Sequence, residues 1–202
     1  METRISKILS IIFQPLLIPT YMLFLVFNLN SYIAFLLPFE ARRLILITVS
    51  LLTFVLPISI IFMMVRHGMI QSVHLEEREE RIFPLIITGI LYYVTYFLMS
   101  RLNLDPIYLR LFMGSTVAII LAMIINFVWK ISIHMIGMGG MLGGILGIGF
   151  ILQLDLIIPA LITTLLCGMV GSARLHLNAH KPLQVYTGFL LGFFVMILMF
   201  LY

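Results

Sequence analysis

Three short polar stretches interrupt an otherwise apolar chain, and their side chains are of kinds that can do chemistry. GSARLHLNAHKPLQVYTG (171–188) carries Arg174, His176, His180, Lys181 and Gln184; WKISIHMIG (129–137) carries Lys130, Ser132 and His134; HLEEREERIFP (74–84) carries Arg78, Arg81 and four glutamates. Two histidines from different stretches, with arginine and lysine beside them, suit phosphoryl transfer. A neutral imidazole attacks phosphorus, a second protonates the leaving oxygen, and cations hold the charge that builds on the equatorial oxygens. No metal is needed for that chemistry. A metal site competes for the same residues, because His176 and His180 have the i,i+4 spacing of a helical ligand pair with His134 as a third. Pro182 limits helix after that pair, and His67 and His74 are remote in sequence, so no metal or other cofactor is expected.

Each stretch also has a plainer reading. Arg174 and Lys181 could snorkel from a solvated loop, Trp129 and Lys130 could be an interfacial pair, and the glutamate run could be a turn held by i,i+3 and i,i+4 pairs. Against those readings stands cost: an ionisable group at membrane depth costs roughly 2.5–3.5 kcal/mol on insertion scales, which makes it a site hypothesis by default. In the functional reading, Arg78 or Arg81 reaches a phosphate and one of Glu76, Glu77, Glu79 and Glu80 orients a histidine.

Those residues must be positioned by membrane helices. The chain has 202 residues, 62% of them hydrophobic and only 10% charged, far outside the range of soluble globular domains. Runs long enough to span fall at about 8–29, 44–65, 82–100, 107–129, 133–152, 156–173 and 184–202, the sixth short for a full crossing. The fold expected is all-α, a polytopic transmembrane bundle of about six or seven helices forming a single domain over residues 1–202. The basic start METRISKIL is followed by no cleavage site and reads as part of the first membrane helix. Cys167 lies in an apolar run and allows no disulfide framework, and 12 Lys and Arg spread over loops make no stripe for nucleic acid.

Parity adds a sharper expectation. With seven alternating helices, the amino-terminal stretch and all three polar stretches emerge on one side. Pro38, Arg42, Arg43, Arg101, Asp105, Arg110 and Asp155 fall on the other, as interfacial anchors and breakers. Gly139, Gly143 and Gly147 have the small-xxx-small spacing of close helix packing, not of a nucleotide loop.

The spacing Arg174-x5-His180-x3-Gln184 resembles the third motif of the type 2 phosphatidic acid phosphatase (PAP2) superfamily, Ser-Arg-x5-His-x3-Asp, and Ser132-Ile133-His134 resembles its second, Pro-Ser-Gly-His. The resemblance covers roughly the last 75 residues, with its motifs in 130–188. It implies a PAP2-like core with His180 as nucleophile, His134 as general acid, and Arg174 and Ser132 holding phosphate oxygens. Gln184 stands where the superfamily has an aspartate, and Ala173 where it has a serine. The first motif, Lys-x6-Arg-Pro, is broken: His74 to Arg81 keeps only the spacing, so Lys130 is the candidate for its cation. The expected function is a metal-independent phosphatase for a lipid phosphomonoester or diphosphate in the cell membrane, working through a phosphohistidine. The alternative is a weakly catalytic relative that binds or moves an anionic lipid.

Overall fold

The computed structural model describes residues 3–73, 75 and 77–202, so His74 and Glu76 lie outside the described residues. The described residues form seven helices long and apolar enough to cross a membrane: Thr3–Asn28, Phe39–Arg66, Glu79–Ser100, Pro106–Asn126, Ile133–Leu152, Ile157–His176 and Pro182–Leu201. They make an all-α bundle, as hydropathy requires when every backbone group in lipid must be satisfied within its own segment. The sixth span is corrected: it runs a full 20 residues, Ile157–His176, because its last polar turn, Ser172 to His176, is helix.

The first two spans are interrupted. Helix α1 (Thr3–Ile12) stops before Pro15, a 3-10 turn (Pro15–Leu17) follows, and α2 (Ile18–Asn28) continues. Proline disfavours helical backbone in the residue before it, and Gln14 is accordingly extended, at φ −58° and ψ 128°. After the short α3 (Tyr32–Phe35), α4 (Phe39–Ser50) and α5 (Leu56–Arg66) are joined by one turn of π-helix, Leu51–Val55. That wide turn lies just before Pro57, which removes a backbone donor, and so absorbs the distortion the proline brings. Pro84 falls instead in the first turn of α6 (Ile82–Ser100), where its missing N–H costs nothing.

Helix α7 (Pro106–Asn126) starts on Asp105, whose Oδ1 accepts the Ile107 N–H at 3.0 Å. At the centre of the bundle lies α8 (Ile133–Leu152), the most buried span. Its glycines bring α10 (Pro182–Leu201) to backbone contact: a Cβ on Gly139 would strike the Phe189 carbonyl, and one on Gly192 the Ile136 carbonyl. Side α9 (Ile157–His176) packs against both α8 and α1. On the far side, Arg42 donates to the Phe27 carbonyl and Arg110 to the Phe200 carbonyl, so two of the expected anchors cap the ends of α2 and α10.

Candidate functional site

The site lies where α8 and α10 begin and α9 and α1 end. Ser132 precedes α8 and Lys181 precedes α10, and the two starts are tied by the Ser132 N–H donating to the Gln184 carbonyl at 3.2 Å. This bond places the 130s stretch directly on the 180s stretch. His134 then sits in the first turn of α8, Arg174 in the last turn of α9, and His180 in the connection between α9 and α10.

His180 is buried, 7% exposed. Its Nδ1 lies 3.2 Å from Gln184 Oε1, and that same oxygen accepts the Lys181 N–H at 3.0 Å. The backbone amide can only donate, so the oxygen of the Gln184 amide, not its nitrogen, faces the ring. His180 Nδ1 therefore carries the proton and donates, which leaves the Nε2 lone pair free for bonding. Burial, then the charges of Arg81 and Arg174, hold His180 down to about 3, with Lys130 adding to them and the Gln184 bond opposing. It is a neutral imidazole at physiological pH, the form a nucleophile needs.

His134 Nε2 lies 3.1 Å from the Ser10 carbonyl, an acceptor only, so Nε2 is the protonated nitrogen of that ring. Arg174 donates to the Ser10 hydroxyl at 3.3 Å, and its buried Nε has no partner among the described residues. Arg81, 4% exposed, donates to the carbonyls of Leu75 at 2.8 Å and Ile131 at 3.2 Å. The first bond folds the connection back on Arg81, and the second ties Arg81 to the segment before Ser132. Arg174 acts electrostatically on both His134 and Arg81, and His180 and Arg81 act on His134, so these groups share one locus. Ser132 is fully buried and its hydroxyl makes no hydrogen bond among the described residues. A buried hydroxyl left bare is costly. Beside a helix start and two arginines, it has the chemistry of an anion ligand.

The structure therefore brings together His134, His180, Gln184, Arg174, Ser132, Lys130 and Arg81 from all three polar stretches, the Arg81–Ile131 bond joining residues 50 apart. It does not bring Arg78 with them. That guanidinium donates to the carbonyls of Phe127 and Val128, at 3.2 and 3.0 Å, and pairs with Glu79 at 2.8 Å in the exposed part of the loop. Glu80 accepts the Gln71 N–H at 2.7 Å, so of the described glutamates two are committed elsewhere, and the partner of His180 is Gln184. His176 and His180 do not form a helical pair: α9 ends at His176, which is exposed.

Ser10 is the residue that sequence reasoning missed. Its signal was the pair Ser6 and Ser10, four apart on the buried face of an amphipathic α1 whose other residues are mostly isoleucine, leucine and charge. Beside the site, a narrow apolar crevice runs between α2, α6, α7, α8 and α10, with Pro15, Ile18, Tyr92, Phe112, Ile133 and Gly137 in its walls. From Ile133, next to His134, to Gly140 the wall descends about 10 Å by helical rise. No family model, curated protein or solved structure matches this chain.

Proposed function

We propose that this chain is a metal-independent phosphatase of a lipid phosphate, a phosphomonoester or diphosphate whose tail enters the bilayer, and that it is a divergent PAP2-like protein of the cell membrane. One observation carries the reading: two histidines, one with a free Nε2, meet the buried Arg81, the half-buried Arg174 and a serine hydroxyl without a partner among the described residues, beside an apolar crevice between the helices. Arg174, Arg81, Lys130 and Ser132 hold the phosphate oxygens. His180 Nε2 attacks phosphorus and the ester P–O bond breaks as the N–P bond forms. With its Nε2–H held on the Ser10 carbonyl, His134 works through Nδ1: it carries a second proton there, taken up with the anionic substrate, gives it to the departing oxygen, and then takes one back from the water that cleaves the N–P bond.

Gln184 keeps Nδ1–H directed through both steps but adds no negative charge to offset the phosphoimidazolium. That feature favours the second reading, in which the same pocket binds or moves an anionic lipid without turnover. The test is phosphate release from phosphatidate and from a polyprenyl diphosphate by detergent-purified protein in EDTA. The expected result is release by the native chain and loss of at least about a hundredfold in His180→Ala, with acid-labile phosphate trapped on the native protein. Tight binding of the same lipids with no release selects the second reading.

A further inference from the structure

We propose that Ser10, on the amino-terminal helix, is a positioning residue for the phosphate site: its hydroxyl sets Arg174, its carbonyl sets His134, and the break at Pro15 makes that carbonyl available. The inference rests on the phosphatase reading and extends the site to an element that lies 120 residues and more from the motifs.

The chain of causes begins with proline. In an uninterrupted helix the Ser10 carbonyl would accept the N–H of Gln14. Because Pro15 forces Gln14 out of helical backbone, the Gln14 N–H turns to the Ile11 carbonyl at 3.3 Å instead. The Ser10 carbonyl is left as one of the unsatisfied groups of a helix end, and His134 Nε2–H takes it at 3.1 Å. The Ser10 hydroxyl is used twice as well. It donates to the Ser6 carbonyl at 2.9 Å and, with its hydrogen so directed, turns a lone pair to Arg174, which donates at 3.3 Å. Ser10 is 8% exposed and α1 packs along α9, the helix that carries Arg174, so the contact is held by packing and not by a loop.

One residue thus fixes the tautomer of the proton-transfer histidine and the reach of a phosphate-holding arginine. A merely structural Ser10 would affect folding yield and leave the kinetic constants of the folded protein alone.

The experiment compares native protein with Ser10→Ala, Ser10→Thr, Pro15→Ala and Arg174→Ala in detergent. It measures phosphate release from phosphatidate, binding of inorganic phosphate by ³¹P line broadening, and the ¹⁵N shifts of His134 in ring-labelled protein. Ser10→Ala is expected to raise KM about tenfold and weaken phosphate binding to match, with kcat changed less than threefold, and Ser10→Thr to restore both. Pro15→Ala lets Gln14 reclaim the carbonyl, so the His134 Nε2 shift moves toward a mixed tautomer and kcat falls. Native binding that is lost in Arg174→Ala but unchanged in Ser10→Ala overturns the inference and leaves the phosphatase reading standing. A native protein that neither binds nor releases phosphate overturns that reading, and this inference with it.

Discussion

At the scale of one residue, the Gln184 amide decides what His180 can do. Its oxygen is fixed by the Lys181 N–H and therefore fixes the imidazole proton on Nδ1. Because His180 is held near 3 against an ordinary 6.5, the unfolded chain takes up its proton before the folded one does. The resulting contribution to stability is complete above pH 6.5 and is lost as pH falls toward 3. Gln184→Glu keeps the acceptor and adds a negative charge, which raises His180. We expect this variant to lose less thermal stability than the native protein between pH 7 and pH 5, and to show an acid limb of activity displaced to higher pH. Gln184→Leu removes the acceptor. It should cut turnover about tenfold or more, since a net hydrogen bond of about 1.5 kcal/mol is lost and the ring is free to change tautomer. Equal pH profiles in all three proteins would show that Gln184 does not govern His180.

At the scale of the element, the site depends on how closely α10 can approach α8. Glycines at 139, 143 and 192 allow the two backbones to touch, and their contact holds the starts of both helices together at Ser132 and Gln184. In lipid there is no hydrophobic drive between helices, so this packing is the main source of their association. Gly192→Ala would press a methyl group onto the Ile136 carbonyl, and overpacking of this kind costs about 1–3 kcal/mol. Gly168, on α9, has nothing within 4 Å of its would-be Cβ. There alanine should stabilise by up to about 1 kcal/mol through helix propensity alone. Unfolding in mixed micelles should place Gly192→Ala below the native protein and Gly168→Ala at or above it. The reverse order would mean that the close crossing is not what stabilises the bundle.

At the scale of the whole molecule, an odd number of spans sets the geometry. Seven spans put Thr3 and Tyr202 on opposite sides, with the 67–78, 127–132 and 177–181 connections on the side of Thr3. Single cysteines placed at Gln71 and Asn178, in a chain with Cys167→Ala, should label from the same face of a sealed vesicle. One at Gln153 should label only from the other. Labelling of Gln71 and Asn178 from opposite faces would separate the halves of the candidate site and end the phosphate reading. Lys and Arg bias places the Thr3 side in the cytoplasm only if the site cations are counted, so the same vesicles also report which compartment the polar cluster faces.

The helical class and the order of the spans were legible in the sequence, and their number to within one, because hydropathy over about 20 residues is a local property and lipid leaves the backbone no alternative to helix. The candidate side chains were legible too, since ionisable groups are rare in such a chain. Parity alone put three polar stretches on one side. Which of them touch is a matter of long-range geometry, and there the sequence ran out. Arg78 and Arg81 are three residues apart in one charged run, yet one braces the exposed loop and the other is buried beside the histidines. Ser10 is an ordinary small polar residue in a first helix, and only the packing of α1 on α9 carries its hydroxyl to Arg174 and its freed carbonyl to His134. Local periodicity determines what each element is, and tertiary packing decides which carbonyl a histidine finds.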